Sequence, residues 1–600
     1  MEEIGMVGKT TARKDLIEVS VGKVAPTLLI KGGKLVNVHT TEIHPADIAV
    51  KGDRIAYVGD AKELKITEET KVINVEGKYV TPGLIDPHIH LYHTQLNMTQ
   101  VARALLPHGT TTVAEGFYAI GIVSGVQGIR FCLEEIKKTP LKIVFLIPSL
   151  AYYQNEDLGL PKTPKAPTFK DFQEMLDWTD CHGIEEAPYT FILNKHPDII
   201  SLIEKATRQG KIITGHASGL SGGGLNAYIA MGASNDHECT TAAEALERAR
   251  IGMRVIIRQG SAATDVVKVV KALTEHNVNP KYFSFCADVA STLKIIRTGH
   301  IDDCIRVAVS QGLNPIIAVQ MATLNAAELL KIDHEIGSIA PGKIADILIL
   351  DDLSSFKISM VIANGQLVVK ESKLLVELKS PEYPKFMYDT VKLKRTLEPK
   401  DFEIGAPKDR REVTVRVMGV KEGTIITEDR RETMGVKGGL LQPDLKRDIL
   451  KIAMVDRFHL SGRIGKGFVH GFKLKWGAIG TSYAPTTENI IVVGTNDLDM
   501  CFAVNEIAKM GGGHIAVKEQ RVLARLELPL CGLLSDETLE RVVEKQNKLQ
   551  KVIREMGCEF IDPFQTLGFT GACPELGTLR ICENGIVNVP AHRLEPLIVE

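Results

Sequence analysis

From Thr27 to Val80 short apolar runs alternate with turn residues, as in Thr27-Leu-Leu-Ile-Lys-Gly-Gly, Asp47-Ile-Ala-Val-Lys-Gly-Asp and Arg54-Ile-Ala-Tyr-Val-Gly. This spacing predicts small strands and hairpins. The same style returns over Ile336 to Lys370, where Ala345-Asp-Ile-Leu-Ile-Leu and Met360-Val-Ile-Ala-Asn-Gly-Gln-Leu-Val-Val read as strands joined by an Asn-Gly turn. Residues 27–80 and 336–376 are therefore expected to form one composite β-sandwich from the two flanks of an insert, with residues 1–26 as an extension.

The insert, residues 81–335, has another rhythm: strand-like apolar runs are each followed by a longer segment of helical period. Candidate strands end near His90, Ala114, Ile147, Glu186, Gly215, Asn235, Arg258 and Cys286. Eight strand-helix units in roughly 250 residues predict an α/β fold of the (β/α)8 TIM-barrel type, whose sites lie at the C-terminal strand ends. After Glu371 charged stretches lead into Gly- and Val-rich runs and a helical segment from Asp536 to Met556. Residues 377–600 are thus expected to form a C-terminal α+β region.

Length agrees with several units, because cores stop growing beyond roughly 250–300 residues and this chain has 600. A formal net charge of −2 provides no field to attract nucleic acid or an anionic membrane, so a small molecule is the expected partner. The 10 cysteines are scattered without a CxxC pair, as in a reduced cytoplasmic protein. Met1 to Ser20 lacks an apolar h-region, which argues against secretion.

Pro87-His88-Ile89-His90 falls at the end of the first expected barrel strand, where residues i and i+2 share a face and can bind one cation. Glu186, His216, His237 and Asp288 fall at the expected ends of strands 4, 5, 6 and 8. Singly each is more often a core or loop residue; in this order they outline a metal site at a barrel mouth. Imidazoles and carboxylates suit Zn2+, Mn2+ or Fe2+, and Glu186 could bridge two ions. Such an ion lowers the pKa of bound water towards roughly 7, with Asp288 as base and then acid and His237 polarising the developing charge.

The run Pro82-Gly-Leu-Ile-Asp-Pro-His-Ile-His, with Ile336-Gly-Ser-Ile-Ala-Pro-Gly-Lys-Ile-Ala-Asp-Ile, resembles the amidohydrolase superfamily. Gly215-His-Ala-Ser-Gly-Leu-Ser-Gly, Leu225-Asn-Ala-Tyr-Ile-Ala, Ser234-Asn-Asp-His-Glu-Cys-Thr-Thr and Met321-Ala-Thr-Leu-Asn-Ala-Ala-Glu resemble its adenine deaminase family. So do Val492-Val-Gly-Thr-Asn-Asp and Leu533-Leu-Ser-Asp-Glu in the last region. The resemblance covers nearly everything after Thr27. It implies His88, His90, Glu186, His216, His237 and Asp288 as the metal ligands of strands 1, 4, 5, 6 and 8, and a homo-oligomer.

Four elements depart from that family. Leu91-Tyr92-His93 stands where Ile-Glu-Ser is usual, and Ala114-Glu-Gly-Phe-Tyr replaces Asp-Pro-His-Glu. Ala287-Asp-Val-Ala keeps one acid of Thr-Asp-Asp-Arg, and a His-bearing C-terminal loop reads Ala484-Pro-Thr-Thr-Glu-Asn. The departures lie where substrate or a second metal could be contacted, so Tyr92, His93, Glu115, Phe117 and Tyr118 become substrate-side candidates, the aromatic ones to stack on a flat heterocycle, although aromatic residues at a barrel mouth are at least as often packing. Asn226, by family position, is expected to support substrate binding or simply to hold its loop. Gly219 to Gly224 lacks the Lys and Ser/Thr of a P-loop and is expected to let its loop pass close to the site. Met510-Gly-Gly-Gly-His514 reads as a turn.

Adenine deamination is the leading reading. Ring opening of a purine-like cyclic amide such as xanthine is the alternative, and a binding or scaffold protein without catalysis the third.

Overall fold

A computed structural model describes residues 11–149, 160–422, 424, 426–572 and 577–599. Strands Leu28–Asn37, Glu42–Lys51, Arg54–Gly59, Lys71–Asn74 and Tyr79–Pro82 share one nine-stranded sheet with Ile347–Asp352, Lys357–Ala363, Gln366–Lys370 and Lys373–Leu374. The flanks join where Ile347–Asp352 pairs antiparallel with Tyr79–Pro82. Asn364 and Gly365 both have positive φ, 50° and 74°, as a two-residue hairpin turn of this hand requires. The small sandwich is this single sheet curled over. Ile55 N donates to Lys343 O at 2.9 Å, Ala345 N donates to Asp53 O at 2.8 Å, and Ile30, Ile48, Val80, Ile347 and Ile362 fill the fold.

Between the flanks lie eight parallel barrel strands, numbered 1 to 8 in chain order: Leu84–Asp86, Thr110–Glu115, Lys142–Pro148, Cys181–Pro188, Ile212–His216, Asn235–Asp236, Arg254–Arg258 and Phe283–Cys286. Buried on both faces, they read as continuous apolar runs such as Ile143-Val-Phe-Leu-Ile. Ser234 N donates to Ile213 O at 2.9 Å between strands 5 and 6. Beyond the ends of strands 8 and 1, Asp288 N donates to His88 O at 3.1 Å and His90 N donates to Asp288 O at 2.8 Å, which closes the ring. Helix Pro197–Arg208 illustrates the outer layer, burying Ile199, Leu202, Ile203 and Ala206 at the i, i+3, i+4, i+7 spacing of one face.

Strand 1 is shorter than expected. It ends at Asp86, so His88 and His90 lie on an extended segment beyond it. Pro87 has no N–H for the ladder, and the Asp86 carboxylate instead accepts His88 N and Ala287 N, each at 3.1 Å.

The C-terminal region builds a ten-stranded, largely antiparallel sheet between Ile404 and Glu527, with helices Asp497–Lys509 and Leu539–Glu555. It abuts the barrel mouth: Ser535 N donates to Gln95 O at 2.8 Å, and Asn97 Nδ2 donates to Ser535 O at 3.1 Å. Among the described residues no helix is long and apolar enough to cross a membrane. The nine described cysteines are buried and unpaired.

Candidate active site at the barrel mouth

The segment after strand 1 aims His88 and His90 into one space, their rings edge to face with centroids 4.8 Å apart. Strands 5 and 6 bring His216 and His237 to within 3.3 Å, Nδ1 to Nε2. Glu186 on strand 4 and Asp288 after strand 8 both adopt left-handed backbone, φ 46° and 54°. Non-glycine residues seldom do so, and the strain concentrates at functional sites.

Glu186 is the hub. Its Oε1 lies 3.2 Å from His216 Nδ1 and from His237 Nε2, 3.4 Å from His88 Nε2 and 3.5 Å from His90 Nε2. Asp288 Oδ1 stands 3.5 Å from His88 Nε2 and 3.8 Å from His90 Nε2. All six side chains are buried, and His88 Nε2 has no hydrogen-bond partner. Ligand atoms about 2.1 Å from one ion at tetrahedral angles stand about 3.4 Å apart, so these spacings fit a shared divalent cation. His88, His90 and Glu186 form one trio that could hold an ion; His88, His237 and Asp288 form a second, and Glu186, His216 and His237 a third.

The electrostatics agree. Burial raises the cost of the Glu186 charge, yet His90, His216, His237 and His88 together hold its carboxyl well below the usual range. Asp288 is likewise lowered, its burial outweighed chiefly by the neighbouring His88 imidazole. Conversely His90 rises to about 9, because Glu186 overcomes the effect of burial. Burial leaves His237 below its ordinary value, a neutral imidazole suited to ligation.

Several groups at the mouth were not singled out by their sequence pattern. Pairing of strands 4 and 5 steps from Ile184 opposite Ile213 to Ala187 opposite Gly215, so strand 4 carries one extra residue. Such a bulge breaks the alternation of faces, and Glu185 joins His90 and Glu115 in a further buried trio. Gly116 makes room for it, since a Cβ there would meet Glu185 Oε2 at 2.4 Å. Burial raises Glu185 to about 8 and Glu115 to about 7. Glu238 Oε1 lies 3.4 Å from His237 Nε2 and pairs with Arg258, whose Nη1 is also 3.5 Å from Asp288 Oδ2. The signals were adjacent to known ones: Glu185 precedes Glu186, Glu238 follows His237, and Arg258 ends strand 7.

The substrate-side candidates divide. Tyr118 meets the His90 ring edge-on at 5.0 Å and shares a hydroxyl contact with Tyr92. His93 lies 5.8 Å from His90, pairs through Nδ1 with the Tyr483 hydroxyl, and is held well below the imidazole range by burial. The Glu115 carboxylate accepts Leu91 N at 2.8 Å and Phe117 N at 2.5 Å. Phe117, left-handed at φ 59°, stacks its ring on Phe145, which stacks on Trp178. Asn226 is exposed, and its amide donates to Gly222 O at 2.8 Å in its own helix. In the glycine run a Cβ at Gly219, Gly222 or Gly223 would meet nothing within 4 Å, whereas one at Gly224 would meet the Leu220 side chain at 2.8 Å.

Glu488 arrives from the C-terminal loop Ala484-Pro-Thr-Thr-Glu-Asn, fully buried and left-handed at φ 49°. Burial pushes its carboxyl up to about 8 against the pull of Arg457, and its charge acts on Tyr92, Tyr118 and Tyr483.

Comparison with known proteins gives the same outline. Residues 79–368 match the amidohydrolase family and residues 424–593 the adenine deaminase C-terminal domain. The chain is 36% identical over 596 residues to an adenine deaminase of Moorella thermoacetica, covering 98% of both chains. It is 36% identical over 593 residues to one of Clostridium botulinum, again covering 98% of each. With an adenine deaminase of Mesorhizobium japonicum it shares 36% identity over 97% of this chain and 96% of the other.

Proposed function

The chain belongs to the adenine deaminase family of amidohydrolases, and from that premise we propose that it converts adenine and water to hypoxanthine and ammonia. The observation that carries this reading is the ring of four imidazoles and two carboxylates spaced 3.2–3.8 Å about Glu186 and Asp288. His88, His90, Glu186, His216, His237 and Asp288 would hold one or two ions of Mn2+, Fe2+ or Zn2+. A bound divalent ion there would bring the pKa of water towards about 7.

Asp288 is the proton carrier in this scheme. Its lowered carboxyl is ionised at neutral pH and oriented by His88 and Arg258. It accepts a proton as water adds to C6 and returns it to the departing amino nitrogen, as a carboxylate poised beside the reacting atoms can. The C6–N bond breaks and ammonia leaves. Tyr92, Tyr118 and His93 wall the mouth, and Glu488, protonated at neutral pH, offers both a donor and an acceptor to the edge of a base.

Incubating metal-replete protein with adenine, with ammonia and product mass followed together, tests the assignment. Ammonia and hypoxanthine are expected, and no release above a His237→Ala control overturns it. A product heavier than its substrate by one water, from adenine or from xanthine, would replace deamination with ring opening. The same reading places the protein in the cytoplasm, where its buried thiols stay reduced, and makes it a homo-oligomer. A monomeric mass by light scattering would remove the last point.

A further inference from the structure

Two fully buried aspartates, Asp86 and Asp236, stand just before candidate metal ligands and belong to none of the groups, among the described residues, that could hold an ion. Each joins two neighbouring strand ends through backbone N–H groups. Asp86 precedes His88 by two residues; its Oδ1 accepts His88 N and its Oδ2 accepts Ala287 N, each at 3.1 Å. One carboxylate thereby spans the segments that carry His88, His90 and Asp288. Asp236 directly precedes His237; its Oδ1 accepts Ala217 N at 2.9 Å and Glu238 N at 3.1 Å. These two donors follow His216 and His237 by one position, so the second carboxylate spans the other pair of imidazoles.

Behind each aspartate stands a buried base from the outer layer. Arg248, on helix Ala242–Arg250, donates through Nε to Asp236 Oδ2 and through Nη2 to Ala217 O at 2.8 Å. It therefore grips both the carboxylate and the peptide that the carboxylate holds. His300, just ahead of helix Ile301–Ser310, places Nε2 3.0 Å from Asp86 Oδ2, off the line of a hydrogen bond, and Nδ1 2.8 Å from Thr110 Oγ1. Hydrogen bonds to a charged acceptor are roughly twice as strong as neutral ones, and here they fix where the ligand side chains leave the backbone. The two pairs sit on different sides of the ring, one between strands 8 and 1, the other between strands 5 and 6. We propose that Asp86 with His300 and Asp236 with Arg248 are positioning residues that set ion affinity on these two sides separately. The first pair serves His88, His90 and Asp288, the second serves His216 and His237, and Glu186 is shared. These roles rest on the mouth holding divalent ions as proposed above.

Titrating the metal-free full-length protein with Mn2+, the free ion followed by electron paramagnetic resonance, reads the number of ions and the affinity of each. His90→Ala leaves the side of strands 5 and 6 to be read, and His216→Ala the side of strands 8 and 1. Added to His90→Ala, Arg248→Met should weaken the remaining ion about 10–100-fold; added to His216→Ala it should change the remaining ion by less than about threefold. His300→Leu should do the reverse, with the smaller loss of the two because its contact is off line. Arg248→Lys, which keeps a cation beside Asp236, should recover most of the affinity. In case the outer variants fail to fold, Asp236→Asn and Asp86→Asn keep the shape of each carboxylate, remove its charge and should weaken the same sides. A general loosening of the fold would weaken both sides alike. Equal weakening of both sides, no weakening, or a single ion in the wild type overturns the proposal. A wild type that binds no Mn2+ removes the metal reading of the mouth and this inference with it, whereas side-selective loss without ammonia release from adenine sinks the deaminase assignment alone.

Discussion

The two ends of the barrel hold buried ionisable groups in opposite ways. At the floor, Lys142 at the start of strand 3 lies 2.7 Å from Asp346, donates to its Oδ1 at 2.9 Å and to Asn364 Oδ1 at 2.9 Å. Asp346 Oδ1 also accepts Asn364 N at 2.9 Å, which ties the barrel to the small sheet. Among the six candidate ligands at the mouth the nitrogen–oxygen spacings are 3.2–3.8 Å, and Glu186 and Asp288 have left-handed backbone. Direct contact spends the charge on cohesion, whereas spacing keeps donor atoms available to a shared cation. The floor of such a barrel accordingly serves stability and its mouth chemistry.

The sharpest separation of the two is expected from His237→Ala. Ammonia release from adenine should fall on the order of 10³-fold or more, because a ligand to the activating ion is lost, while the melting temperature stays within a few degrees. Lys142→Met should do the reverse. Leaving Asp346 buried without its cation costs about 3–5 kcal/mol, read from the denaturant midpoint, and kcat of the folded protein should stay within about twofold. Equal losses of kcat in both variants would break the contrast between mouth and floor.

Metal linkage is next. Ligands that bind only the folded chain stabilise it by about 2.7 kcal/mol at a hundredfold excess over Kd. Dialysis against a chelator should therefore lower the melting temperature of the wild type and Mn2+, Fe2+ or Zn2+ restore it, while His88→Ala/His90→Ala shows little response. A wild type indifferent to chelator and metal would remove the cation from the mouth.

Glu488 predicts a smaller, pH-dependent effect. Folded, its carboxyl stays protonated up to about 8; unfolded, it ionises near its ordinary 4.5. Between those values the unfolded chain binds fewer protons, so this group's stabilisation is full below pH 4.5 and is lost as pH rises through 8. Urea midpoints at pH 5 and 8 should converge in Glu488→Gln relative to the wild type. An unchanged difference would mean that the group does not titrate as described. Asn226→Ala marks the lower limit: an exposed side chain bonded within its own helix should change activity by less than about twofold.

Much of the barrel was legible because its strands are buried on both faces and carry their own apolar signature. Seven of eight expected strand ends lie within two residues of those found. Strand 1 stopped early because Pro87 breaks the ladder and the Asp86 carboxylate takes up His88 N and Ala287 N instead. On the substrate side the sequence named adjacent aromatic residues without saying where each ring goes: Phe117 stacks on Phe145 and Tyr118 meets His90 edge-on.

Local pattern and family resemblance determined the order of the elements, the pairing of the two flanks and which six side chains to look for near the barrel mouth, because hydrophobic period and chemical type are written residue by residue. Only the tertiary structure decided which atoms converge. The extra residue in strand 4 that turns Glu185 towards His90 depends on its pairing with strand 5. Tyr483 reaches His93 across 390 residues of chain, and Glu488 is buried by the same docking. Such contacts are set by how distant segments pack, which no local period encodes.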